Sequence, residues 1–173
     1  MRVSKIISIL LHPIFMPLIT WIITLFFFPS IYFMISSYIS FITQIIILST
    51  IIIPSMLILF LLKKKKITSL EMSDYKERPL PLILSALIIF LGYLVIHPFI
   101  IFSPILKAQF IGAIIIILIA GFISIYWKIS LHMLAIGGLT GAITGASFLL
   151  QEGSQLILFL ILISGFLGVS RLN

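Results

Sequence analysis

The chain has no cysteine, only four carboxylates and three histidines among 173 residues, and 9% of its side chains are charged. The absence of cysteine excludes disulfides and thiolate metal sites. No spacing of His, Asp or Glu suggests a metal, and no glycine-rich loop follows a strand pattern, so no cofactor is expected. What fills the chain is hydrocarbon: 62% of residues are hydrophobic and the mean hydropathy is +1.38. A water-soluble domain of this composition would have no surface to offer water. The sequence therefore reads as an all-α polytopic membrane protein, a single helical bundle. Its formal charge of +7 gathers at the ends of apolar runs rather than on a soluble basic face. That distribution points to anionic lipid headgroups as partners and away from nucleic acid.

Six apolar runs are read as spans, at roughly 8–28, 37–62, 82–102, 108–127, 132–150 and 155–170. The first resembles a signal peptide but is too long and lacks a small-residue cleavage site, so it is read as an uncleaved span. Pro13 and Pro17 sit in its first turns, where a missing backbone donor costs little, and Pro54 marks a kink in the second. The last run reaches only about 20 Å at 1.5 Å per residue, short of a hydrocarbon core of about 30 Å, and the chain reads as cut short. With six spans, Arg2, Lys5, Lys63 to Lys66, Lys76, Arg78, Lys128 and Arg171 share one face and Lys107 lies opposite. The positive-inside rule makes the crowded face cytoplasmic, with the N-terminus and the 63–81 loop on it.

Apolar helices hold a position in a bilayer but do no acid–base or phosphate chemistry. That chemistry has to come from the polar segment Lys63 to Pro81, which carries Glu71, Asp74 and Glu77, and from whatever joins it. On the same face lie Lys128-Ile129-Ser130-Leu131-His132 and Ser170-Arg171. Arginine and lysine hold phosphate oxygens by charge and fork geometry. A serine hydroxyl and the free N–H groups opening a helix add donors, and a histidine there can protonate a leaving oxygen. The set suits a phosphate ester at the depth of a lipid headgroup.

In order and side, these clusters resemble a degraded form of the type 2 phosphatidic acid phosphatase superfamily of membrane enzymes. Its motifs are Lys-x6-Arg-Pro, Pro-Ser-Gly-His and Ser-Arg-x5-His-x3-Asp. Arg78-Pro79 matches the end of the first, with Glu71 at the lysine position. Ser130 and His132 match the second, with Ile129 and Leu131 replacing Pro and Gly, and Ser170-Arg171 opens the third. The opening Leu11 to Pro17 and the stretch Lys128 to Gly138 look like an uncharacterised bacterial branch of that superfamily. The resemblance implies metal-independent hydrolysis of a lipid phosphate or diphosphate. Arg78 and Arg171 would hold the phosphate, Ser130 would donate to it, and His132 would protonate the leaving alkoxide; Lys76 would stand in for the family's lost lysine at a different spacing, and Lys128 joins the phosphate-binding set through its own cluster. The family's nucleophilic histidine would follow Asn173, so as written the catalytic set is incomplete.

Plainer readings stand beside these. Lys63 to Lys66 reads first as a topology anchor that meets anionic headgroups. Asp74, Lys76, Glu77 and Arg78 either pair within a solvated loop or serve the phosphate. His12 and His97, each before a proline, read as structural, although His12 lies on the side of the site and could approach it. Gly137, Gly141 and Gly145 form a stripe, roughly opposite His132, that lets another helix approach, read first as packing inside the monomer and otherwise as a contact between subunits. A non-catalytic membrane scaffold or lipid-binding protein is the alternative to the enzyme. The oligomeric state is left open.

Overall fold

The computed structural model describes residues 12–172 except 71 and 73, with only the backbone described for 170–172. All regular structure among them is helical. A 3-10 turn, Pro13–Phe15, leads into α1 (Met16–Phe27), followed by α2 (Pro29–Ile35), α3 (Ile39–Ile47), α4 (Ile53–Lys63), α5 (Pro79–Ile96), α6 (Pro104–Ile123), α7 (Leu131–Leu150) and α8 (Gln155–Leu172). Proline stands at the first or second position of α1, α2, α4, α5 and α6. In α1, α2, α5 and α6 its fixed φ suits the helix start and its missing N–H is one that would find no intrahelical partner anyway, whereas Pro54 of α4 lies inside a continuing helical run.

Four apolar helical stretches are long enough to cross a membrane: Pro29–Lys63, Tyr75–Phe99, Pro104–Ile123 and Leu131–Leu150. Pro13–Phe27 and Gln155–Val169 are shorter. The expected start of the second span near residue 37 is corrected, because the helical run begins at Pro29 and extends 35 residues. Pro29, which punctuates the sequence, opens a helix rather than a loop. Large apolar side chains point outward along these helices, among them Phe33, Phe90, Phe122 and Phe148. Surfaces of this kind suit lipid, and helices satisfy their backbone groups within one segment, as a bilayer demands. The chain is a helical membrane protein.

Contacts divide it into two compact units, one reaching Ile39 and resuming at Ser130, the other Ser40–Ile129. In the first, Phe28 leaves helical geometry (φ −126°, ψ 79°) between α1 and α2, and its ring is fully buried. Gly153, in the turn between α7 and α8, has φ +66°, and a Cβ there would meet that ring at 3.2 Å. Glycine answers both demands. Ser30 Oγ donates to Glu152 Oε2 at 3.0 Å across the same junction. Among the described residues the glycine stripe of α7 lacks the packing expected inside the monomer: Gly137, Gly141 and Gly145 are exposed, with no atom from outside their own helix turn within 4 Å of where a Cβ would stand.

In the second unit, α5 and α6 pair along their lengths, and α4 lies against α5. The kink expected at Pro54 takes the form of a π-helical segment, Leu48–Ile52, whose following residue Ile53 donates its N–H to Leu48 O. Pro54 has no N–H for the carbonyl of Thr50, and the wider turn places that break where the ladder is already shifted. Ser49 and Thr50, both buried, donate their hydroxyls to Ile45 O and Ile46 O at 2.8 Å. Gly92 of α5 presses on this bulge, and a Cβ there would fall 2.7 Å from both Cβ and Oγ of Ser49. Gly92→Ala is therefore expected to destabilise by about 1–3 kcal/mol, as overpacking does. Adding Ser49→Gly should recover much of the loss. Unfolding of the single and double variants in detergent measures the coupling, and additive effects would refute the contact.

Candidate functional site

The polar segment after α4 is folded by its own side chains. Lys65 N–H donates to Leu62 O at 3.0 Å and Lys66 N–H to Leu61 O at 2.9 Å, with Lys65 left-handed at φ 56°. This double bond pattern closes the helix as a Schellman turn. Ile67 then inserts into the unit at 2% exposure, pinning the turn. Glu77 Oε2 accepts from Thr68 N at 3.0 Å and from Thr68 Oγ1 at 3.2 Å. Asp74 Oδ1 accepts from Lys76 N at 3.0 Å and so caps the 3-10 turn Tyr75–Glu77. Pairing of Asp74 and Glu77 with Lys76 and Arg78 was the plainer expectation, and it does not occur among the described residues. The carboxylates close the loop on its backbone and on a hydroxyl instead.

Arg78 is 9% exposed, the most deeply placed charge described. Its Nε donates to Met72 O at 3.0 Å and one terminal nitrogen to Ile129 O at 2.9 Å. Five N–H groups make up a guanidinium, so these two bonds leave a second terminal nitrogen uncommitted among the described residues. Burying a cation without a carboxylate is unfavourable unless hydrogen bonds or an anion compensate. Two neutral carbonyls do part of this. Arg78 and Ile129 both belong to the second unit, so this bond ties the last residue of that unit back to the residue before α5.

In the first unit, Ser130 caps α7, its Oγ accepting from Met133 N at 3.4 Å. Its hydroxyl is exposed. His132, in the first turn of α7, is half-buried and meets His12 edge to face, with ring centroids 5.5 Å apart. His12 Nδ1 accepts from Ile14 N at 3.3 Å, so His12 also caps the turn Pro13–Phe15. An imidazole that accepts at Nδ1 carries its proton on Nε2 when neutral. His12 is thus both a structural residue and the ring beside His132. His97 keeps its structural reading, packed edge-on against Tyr93 at 5.5 Å.

Lys76 and Lys128 are exposed. Glu71, at the family's lysine position, and the side chains of Ser170 and Arg171 lie outside the described residues. Nothing in the sequence singles out the carbonyls of Met72 and Ile129 or the Thr68 hydroxyl as partners of Arg78 and Glu77. Backbone acceptors leave no residue signature, and Thr68 had only its nine-residue distance from Glu77 to offer. Comparison with protein-family models, with curated proteins and with solved structures gives no match for the chain.

Proposed function

We propose that the chain is a lipid-phosphate phosphatase-like membrane protein whose Arg78 binds the phosphate or diphosphate of a lipid. The observation that carries this reading is Arg78 itself: a residue nine-tenths buried, its guanidinium held by two carbonyls, with no carboxylate on it and one nitrogen uncommitted among the described residues. Phosphate oxygens suit such a fork, and a carboxylate already in place would have occupied it. In this reading His132 gives a proton to the leaving alkoxide, Ser130 donates to the phosphate, and Arg171, Lys76 and Lys128 add charge. Hydrolysis in this reading is metal-independent and uses a nucleophilic histidine of the kind that the third motif supplies. The decisive assay follows phosphate release and lipid binding with phosphatidate and with a polyprenyl diphosphate in detergent. Binding with negligible turnover is the expected behaviour of the 173-residue chain. No binding of either lipid would sink the proposal.

A second reading is favoured by the two carbonyl bonds of Arg78, which alone would make it a staple in a non-catalytic scaffold. The proposal also includes six spans, a bacterial inner-membrane location, and a cytoplasmic face for the N-terminus and the 63–81 loop. Because the chain has no cysteine, single cysteines at Ser4, Ser69 and Ser154 report on topology directly. An impermeant thiol reagent applied to intact cells is expected to label position 154 alone. Labelling at 4 and 69 with 154 silent would invert the orientation.

A further inference from the structure

The four lysines that end α4 are the largest concentration of like charge in the chain, and all four are exposed. Two structural facts set them apart from an ordinary solvated run. Neither Asp74 nor Glu77 pairs with them, since both carboxylates are spent on Lys76 N and on Thr68. Lys65 also occupies the left-handed position of the Schellman turn, where glycine is the usual residue. An L-residue there is strained relative to glycine. Lysine at this position brings a charge into the turn that the usual glycine would not, and no bond from Asp74 or Glu77 neutralises it. Lys64 Nζ lies 5.7 Å over the exposed ring of Phe60, one helical turn back. That places a cation and an aromatic face together at the end of an apolar helix, an arrangement suited to the interface of a bilayer.

We infer that the turn Lys63–Lys66 is a docking surface for anionic lipid headgroups, with Lys65 held left-handed so that its charge joins that surface. The occupant is a phospholipid headgroup in the membrane carrying net negative charge. The chemistry is phosphodiester against ammonium, and it is independent of the Arg78 reading. Each lysine near an anionic surface contributes about fivefold in lipid preference, the equivalent of about 1 kcal/mol.

The test uses the full chain in nanodiscs, with Ser69→Cys carrying a fluorophore as the only thiol. Brominated phosphatidylglycerol should quench this probe at a several-fold lower mole fraction than brominated phosphatidylcholine. Lys63–Lys66 all changed to glutamine should abolish the preference, whereas all four changed to arginine should retain it. Lys65→Gly is the discriminating variant, because it should raise Tm by releasing strain while lowering the preference about fivefold. An unchanged preference in Lys65→Gly and in the glutamine variant would overturn the inference, and so would a fall in Tm in Lys65→Gly. Inorganic phosphate at matched ionic strength should not displace the lipid; displacement would assign the turn to a soluble anion instead. Arg78→Gln should keep the preference, so this inference and the proposed function fail separately.

Discussion

Arg78→Lys is expected to weaken binding of a lipid phosphate by about tenfold, and Arg78→Gln by about a hundredfold or more. A charge-assisted hydrogen bond is worth about 1.5–3 kcal/mol, and each 1.4 kcal/mol is a factor of ten. Lysine keeps the charge but is a point donor, and one ammonium cannot serve Met72 O, Ile129 O and a phosphate as the fork does. Both variants should also lose stability, because the two carbonyls are left short of donors at about 1–3 kcal/mol each where they are shielded from water. The two readouts separate the readings. Lost stability with lipid binding intact means that Arg78 is a staple, and the scaffold reading stands. Lost binding that exceeds what partial unfolding explains means that it holds phosphate. Salt should weaken the binding as well if the guanidinium is reached through water.

The second large effect concerns His132. In any form of the chain that releases phosphate, His132→Gln is expected to lower the rate about 10²- to 10⁴-fold, the usual worth of a positioned general acid. Lipid affinity should stay within about threefold, since the proton is needed only when the ester bond breaks. His12→Gln should cost much less rate, about tenfold or under, with a loss of about 1 kcal/mol from the weakened cap on Ile14 N. The Nε2 proton implied by that cap makes His12 a donor beside His132, not a free nitrogen nucleophile. Robust release by the 173-residue chain that vanishes in His12→Gln would reverse this assignment. Rates and affinities measured on both variants decide between the roles.

The helical membrane character was legible because it is written in composition: long apolar runs admit few other structures in lipid. Helix starts were less so. Pro29 and the serines Ser36 and Ser37 look like loop punctuation, yet Pro29 takes the first position of a helix and the apolar residues after it carry the turn onward. The position of Pro54 announced a break but not its form, which depends on a buried serine and threonine bonding back to Ile45 and Ile46. Residue type singled out Arg78, Ser130 and His132 as candidates, and the position of His12 hinted at its approach to His132. What could not be read was the fate of the carboxylates. Asp74 and Glu77 sit among cations in the sequence, where pairing is the natural guess, but a tight loop satisfies its backbone first. The left-handed Lys65 was equally hidden, since the turn it closes ordinarily announces itself by glycine.

The π-helical segment Leu48–Ile52 bears on how this protein can change without losing its fold. A bulge of this kind amounts to one extra residue within an otherwise regular helix, and every side chain beyond it is rotated by about 100° from its former bearing. The heading of α4, and with it the compass direction in which Lys63 leaves the helix, is thus set upstream, at Leu48–Ile52. Removing a single residue between 48 and 52 would turn the whole downstream cylinder, carrying Leu61 from inside to outside and sweeping the lysine end around the helix axis. Point changes along α4 can only alter what each position presents, whereas an insertion or deletion at this one pivot re-aims all of them at once.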